Sequence, residues 1–295
     1  MMNKFRERLT QEGVLVADGA TGTMLQRAGL PVGAPSELWV LENPEGVKAL
    51  HRSYIEAGSD IILTDTFGGS RPKLAKNSLG ERVIEINRKA AELARQVAGD
   101  EVLVLGDIGP TGELVEPLGP LSQAEAVRIF AEQADGLAAG KVDAILIETM
   151  SDLNEAAAAV EGVRQATNLP ILVTFSFDTR GRTMMGVKPS KAAKTMAGLG
   201  VDVIGANCGR TLSETLEAIQ EMRQAVDGAV LMAKPNAGLP RLDAGDSVYD
   251  VTPEIVAEYA LKFTALGVKI FGTCCGSNPD HIRAIAQAVH GKEPH

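Results

Sequence analysis

Short apolar runs recur from one end of the chain to the other and alternate with longer segments of mixed polarity. Uninterrupted apolar runs of this length are typical of parallel strands that are buried on both faces of a sheet. Eight such runs are predicted as strands, at 14–19, 60–67, 102–109, 143–150, 171–178, 201–208, 230–237 and 268–275. Parallel strands need long crossover connections, and the intervening segments are long enough to supply helices.

A helix is predicted after each strand, at 45–57, 81–98, 122–139, 152–167, 189–199, 212–226, 252–266 and 278–290. Several helix starts are marked by candidate N-caps or first-turn prolines, at Ser122, Ser151, Thr252, Ser277, Pro189, Pro253 and Pro279. Eight β-then-α units predict a single (β/α)8 TIM barrel over residues 1–295. A doubly wound open sheet is the alternative, and it is disfavoured because no Gly-x-Gly-x-x-Gly sequence follows the first strand.

Loop lengths indicate which end of the barrel carries function. The connections from helix to strand are short, whereas three connections from strand to helix are long, at 20–44, 109–121 and 236–251. In this fold the loops that follow the strands build the catalytic face. Candidate functional residues are therefore sought at the carboxyl ends of the strands.

Charge and hydropathy exclude several classes of function. The 295-residue chain has a net charge of −9 and no basic tract, which argues against a nucleic-acid or anionic-membrane partner. No apolar run approaches the ~20 residues that span a bilayer. The charged segment MMNKFRERLTQEG at the start lacks the apolar stretch of a signal peptide. A cytoplasmic location is therefore expected.

Three cysteines end two of the predicted strands. Cys208 closes the sixth strand, and Cys274 and Cys275 close the eighth, so all three are expected on the catalytic rim. Plain packing is the commoner explanation for a single buried cysteine. Three on one rim instead predict a zinc site that keeps one coordination position open, since thiolates favour zinc over magnesium or calcium. A zinc held by three thiolates is suited to activating a substrate thiol for methylation.

Two acids close other strands on the same rim. Asp18 ends the first predicted strand and Glu148 lies near the end of the fourth. Each could simply cap the following helix. Together, facing a common pocket, they could instead bind the ammonium group of an amino-acid substrate.

Seven motifs resemble those of the homocysteine S-methyltransferase family: DGATGTML at 18–25, TDTFGG at 64–69, IGPTGELVEPLG at 108–119, IETMSDL at 147–153, NCG at 207–209, PNAG at 235–238 and GTCCGSNPDHI at 272–282. The resemblance implies a zinc-dependent barrel that methylates homocysteine, with Zn²⁺ bound by Cys208, Cys274 and Cys275. It also implies a set of substrate-binding positions: Asp18, Glu148, the backbone of Gly19 and Ala20, Asn207 and Asn236.

The methyl donor divides that family. The TDTFGG segment and the following GERVIEINRKAAELAR resemble the homocysteine-binding module of cobalamin-dependent methionine synthase. This resemblance implies methylcobalamin or another methyl-corrinoid as donor, either free or held on a separate corrinoid protein. Asp65 stands where asparagine is commoner, and Lys234 precedes Pro235 where glutamine is usual. Donation by S-methylmethionine, S-adenosylmethionine or betaine, a different acceptor thiol, and a non-catalytic subunit of a corrinoid complex remain as alternatives.

Overall fold

A closed sheet of eight parallel strands forms the centre of the protein. The computed structural model describes residues 3–239, 241–243 and 246–291. The barrel strands are β1 (Leu15–Val16), β2 (Ile61–Leu63), β3 (Leu103–Ile108), β4 (Ala144–Met150), β5 (Ile171–Phe175), β6 (Val203–Cys208), β7 (Leu231–Pro235) and β10 (Val268–Phe271), paired in the order β1-β10-β7-β6-β5-β4-β3-β2. A parallel bridge between Ala17 and Ile61 joins the first strand to the second. The predicted TIM barrel is confirmed.

Helices surround the barrel: α1 (Lys4–Thr10), α2 (Gly22–Arg27), α3 (Trp39–Glu42), α4 (Pro44–Glu56), α5 (Arg71–Ala75), α6 (Val83–Ala98), α7 (Gln123–Ala139), α8 (Leu153–Ala166), α9 (Pro189–Gly198), α10 (Leu212–Ala225), α11 (Pro253–Ala265) and α12 (Pro279–His290). All eight predicted helices are present, and the short α1, α2, α3 and α5 were not predicted. Two 3-10 turns (Ser36–Leu38 and Gly80–Arg82) and a hairpin of β8 (Arg241–Asp243) and β9 (Asp246–Val248) occupy strand-to-helix loops. Within the described ranges, no helix combines the length and apolarity needed to cross a bilayer.

Side chains alternate between two buried layers along each strand. Leu103 and Leu105 of β3 belong to a cluster inside the barrel, whereas Val104 packs against the surrounding helices. Phe5 of α1 is fully buried in the inner cluster. Because both faces of each strand are covered, the strands have the uninterrupted apolar sequences from which they were predicted.

Two of the predicted N-caps are wrong by one residue. Ser122 caps α7 by accepting a hydrogen bond from the Glu125 N–H, and Thr252 holds the N-cap position of α11 without a side-chain bond. Ser151 and Ser277, however, precede the actual caps, which are Asp152 and Asn278; their side chains accept from the first-turn N–H groups of α8 and α12. The Ser277 hydroxyl is engaged at the candidate site instead.

Candidate metal and substrate site

The three cysteines converge at the carboxyl end of the barrel. Cys208 is the last residue of β6, as predicted. The eighth barrel strand was predicted to reach Cys275, but it ends at Phe271, and the cysteines lie in the loop beyond it. Successive residues of a strand point to opposite faces, but residues in a loop need not. Both thiols can therefore lie on the same side. The three sulfurs lie within 4.8 Å of one another, and Cys208 Sγ is 3.1 Å from Cys274 Sγ.

The backbone bends sharply where the thiols meet. Cys208 has a φ of +53° and Gly209 a φ of +71°, and the left-handed region is costly for a residue with a side chain. The end of β7 holds both cysteine loops in place. The Asn236 N–H donates to the Cys208 carbonyl at 3.2 Å, and the Cys274 N–H donates to the Pro235 carbonyl at 2.9 Å. This strand therefore bridges the gap between β6 and β10.

The donor set fits zinc. A tetrahedral zinc with Zn–S bonds of ~2.3 Å places its sulfurs about 3.8 Å apart. That separation lies between the 3.1 Å from Cys208 Sγ to Cys274 Sγ and the 4.8 Å within which all three sulfurs fall. Hydrogen bonds to Cys274 and Cys275, together with burial, raise the pKa of the Cys208 thiol well above its usual range. The pKa of Cys275 is lowered because its sulfur accepts hydrogen bonds from the other two thiols. Without a cation the cluster thus favours a shared thiolate, whereas a divalent cation would stabilise all three.

A cavity of about 420 Å³ opens in front of the cysteines. Its volume falls in the range of small-molecule sites. All three cysteines, the turn that begins at Gly19 and the segment 63–68 after β2 contribute to its wall. Four acids and one lysine complete the ionisable wall: Glu37, Asp65, Asp107, Glu148 and Lys234.

Asn207 connects the acid Glu148 with the candidate metal site. Its Oδ1 accepts hydrogen bonds from the Thr149 N–H at 2.9 Å and the Thr174 hydroxyl at 2.7 Å. Its Nδ2 donates to the Thr149 hydroxyl at 2.6 Å and approaches Cys208 Sγ at 3.6 Å and Glu148 Oε2 at 3.5 Å. Burial, and then the neighbouring Cys274, raise the pKa of Glu148 to about 8. Asn207 therefore contacts one of the three converging cysteines and a cavity acid together.

Asp18 lies one layer behind the cavity wall. Its Oδ2 accepts the Leu63 N–H at 2.7 Å, and its Oδ1 pairs with Lys234 Nζ at 2.8 Å. The two paired side chains are 2% and 3% exposed. Lys234 lies between Asp18 and the cavity. From the sequence it was noted only because glutamine is usual at this position in the family that the chain resembles.

The turn at Gly19 and Ala20 is fixed to the cysteine loop. Ser277 Oγ accepts the Ala20 N–H at 3.1 Å and donates to the Cys274 carbonyl at 2.8 Å. On the other side, the Tyr54 hydroxyl donates to the Ala20 carbonyl at 2.7 Å. Neither Tyr54 nor Ser277 was predicted at the site, because hydroxyl groups in a helix and a loop carry no distinctive sequence pattern.

A second pair of acids lies at the far side of the cavity. The Glu37 carboxylate accepts the Gly68 N–H, and Asp65 Oδ2 is buried without a partner among the described residues. Burial, followed by the charge of Glu37, raises the pKa of Asp65 to about 8. Asn236, predicted to bind substrate, donates through Nδ2 to the Gly209 carbonyl at 2.8 Å and supports the Cys208 turn.

A TIM barrel with three thiols converging at its catalytic rim defines this protein as a candidate thiolate-metal enzyme of the barrel class. The family model for homocysteine S-methyltransferases matches residues 15–289, and the chain belongs to that family. It is 34% identical to a methionine synthase of Mycobacterium leprae over 96% of the chain, and 35% identical to that of Mycobacterium tuberculosis over 94%. It spans about a quarter of the length of these methionine synthases, 25% and 24% respectively.

Two further comparisons match most of the length of both proteins. Betaine–homocysteine S-methyltransferase 1 of Mus musculus is 30% identical over 96% of this chain and 74% of its own length. The metallated homocysteine methyltransferase MmuM from Escherichia coli superposes with a TM-score of 0.81, at 23% identity, covering 96% of this chain and 99% of that one. At that level of identity the structural likeness bears on the fold alone.

Proposed function

We propose that this protein transfers a methyl group to the thiol of homocysteine, giving methionine, at a zinc ion held by Cys208, Cys274 and Cys275. The observation that carries the proposal is the convergence of three cysteine sulfurs, within 4.8 Å of one another, on the wall of a cavity at the catalytic rim. Three protein ligands leave a tetrahedral zinc one position for a substrate sulfur. When bound there, zinc would supply deprotonation of the substrate thiol, so that no protein base is needed.

The remaining groups of the site would bind and orient the amino acid. Glu148 on the cavity wall would balance the substrate ammonium group. Asp18, which was predicted to bind the same group, would act from behind the wall through its pairing with Lys234. The backbone at Gly19 and Ala20 would face the substrate carboxylate, because Ser277 and Tyr54 hold that turn against the cysteine loop. Asn207 and Asn236 would act by fixing Glu148 and the Cys208 turn.

A methyl-corrinoid, free or carried by a separate protein, is the donor that we propose first. The 34% and 35% identity to two methionine synthases, of which this chain covers 25% and 24%, supports this choice of donor. The strand-to-helix loops also carry exposed apolar side chains around the barrel mouth, at Val32, Phe67, Leu114, Leu118, Met184 and Leu239. An open, partly apolar rim suits a bulky donor better than a small solute.

A small cationic donor is the second candidate. The buried acids Glu37 and Asp65 line the cavity. A positively charged group beside them, such as the quaternary ammonium of betaine or a sulfonium, would stabilise their ionised forms and offset the raised pKa of Asp65. The 30% identity to betaine–homocysteine S-methyltransferase 1 favours the same alternative.

Methionine formation with separate donors tests the proposal. Zinc-loaded protein is given homocysteine with methylcobalamin, S-methylmethionine, S-adenosylmethionine or betaine, and Cys208→Ala serves as the matched inactive control. Turnover with methylcobalamin or a methylated corrinoid protein is expected. Turnover only with a sulfonium or betaine would show the donor to be wrong, and no methionine from any donor would contradict the proposed activity.

A further inference from the structure

Lys234 presents unused hydrogen-bond donors to the cavity. Its ammonium group has three N–H donors, and one of them is accepted by Asp18 Oδ1 at 2.8 Å. In the described part of the chain, the other two have no acceptor. The side chain is 3% exposed and nevertheless forms part of the cavity wall. A buried ammonium that is only partly satisfied requires a further anionic or polar partner.

Asp18 fixes the ammonium in place. Both carboxylate oxygens of Asp18 are satisfied, one by Lys234 and one by the Leu63 N–H at 2.7 Å. Among the described residues Asp18 does not line the cavity, whereas Lys234 does. Asp18 therefore anchors the lysine from behind, and the lysine carries the positive charge that a ligand would meet.

Two acids line the same cavity as Lys234. Asp107 and Glu148 line the same cavity, and neither forms an ion pair with a described residue. Asp107 Oδ1 is buried without a partner among those residues. The backbone N–H of Gly19, the residue after Asp18, is also free of hydrogen bonds to the described chain. One cavity thus offers an ammonium group, a free amide and acidic side chains beside the three thiols, which matches a thiol that carries both a carboxylate and an amine.

We propose that Lys234 binds the carboxylate of the acceptor thiol and is a specificity-determining residue for α-amino-acid thiols. This inference rests on the proposed function, because it assumes that the acceptor sulfur is held at the three cysteines. An ammonium with three hydrogens can bridge Asp18 and a second carboxylate. The ammonium of the same substrate is then left for Glu148 and Asp107.

Thiol binding without any methyl donor tests the inference directly. Dissociation constants of homocysteine, of 4-sulfanylbutanoate, which lacks the ammonium, and of 3-aminopropane-1-thiol, which lacks the carboxylate, are measured by calorimetry on zinc-loaded protein. Loss of a charge-assisted hydrogen bond weakens binding by about ten- to a hundredfold. Lys234→Gln is expected to weaken homocysteine and 4-sulfanylbutanoate by that factor and to leave 3-aminopropane-1-thiol unchanged. Glu148→Gln is expected to weaken homocysteine and 3-aminopropane-1-thiol instead.

Two controls separate recognition from structural damage. The surface variant Lys191→Gln should bind all three thiols as the wild type does. If Lys234→Gln fails to fold with Asp18 left unpaired, the double variant Asp18→Asn/Lys234→Gln removes both charges and carries the same expectation. Equal weakening of all three thiols by the lysine variant, or weakening of the amine thiol alone, would overturn the inference. A wild type that binds no thiol would overturn the proposed function itself.

Discussion

Replacing Asn207 by leucine should damage both stability and metal binding, because one buried side chain serves both. Leucine keeps the number and branching of the side-chain heavy atoms but leaves the Thr149 N–H and the Thr174 hydroxyl, now bonded at 2.9 Å and 2.7 Å, without their acceptor. Each buried donor left unpaired costs about 1–3 kcal/mol, so the free energy of unfolding should fall by roughly 2–6 kcal/mol. Thr149 also has a φ of +61°, which that acceptor helps to hold.

The expected loss of zinc affinity has a different cause from the loss of stability and needs a different assay. The Asn207 amide approaches Cys208 Sγ at 3.6 Å, and loss of such supporting contacts lowers metal affinity by about ten- to a hundredfold. Urea unfolding in the presence of a chelator gives the stability change, and competition with a chromophoric chelator gives the zinc affinity. The exposed Asn168→Leu is the control, and Thr174→Val should produce only part of the stability loss. An Asn207→Leu protein with wild-type unfolding energy and wild-type zinc affinity would refute the reasoning.

Three further predictions concern the substrate, the turn and pH. Asp18→Asn and Glu148→Gln should each raise the KM for homocysteine by about ten- to a hundredfold at unchanged zinc content, and an unchanged KM in both would refute the assignment. In Gly19→Ala the new Cβ would lie 2.6 Å from Ser277 Oγ, so the protein should lose about 1–3 kcal/mol in urea unfolding, and adding Ser277→Ala should restore part of it. Burial lowers the pKa of His51 from 6.5 to about 4, so wild-type stability should fall as pH drops through that window, by up to about 3 kcal/mol. A His51→Gln protein with the same pH slope would show that this histidine is not responsible.

The barrel could be predicted because its eight strands all lie in the same kind of buried environment. Eight strands buried on both faces produce eight uninterrupted apolar runs, and all eight were located from them. The end of the last strand could not be predicted in this way, because the apolar run continues through Gly272 and Thr273 after the pairing has stopped at Phe271. The departure of the chain there is what brings Cys274 and Cys275 to one side.

Parts of the site depend on contacts between residues that are distant in sequence. The approach of the cysteines follows from the fold, since residues at strand ends share one rim. The pairing of Lys234 with Asp18 joins residues 216 positions apart, and no local pattern encodes it. Likewise, Ser277 was interpreted as a helix cap because serine favours that role, yet Asn278 takes the cap and releases the serine hydroxyl to hold the turn at Ala20.

The sulfur coordination of zinc tests the central claim most directly. Zinc-edge X-ray absorption on the metal-loaded protein counts sulfur neighbours before and after addition of homocysteine. Three sulfur ligands and one lighter ligand are expected in the free protein, and four sulfurs once homocysteine is bound. Loss of one sulfur or of the metal in Cys208→Ala would assign the ligand set. A zinc ion without cysteine sulfur, or a sulfur count that homocysteine leaves unchanged, would contradict the account.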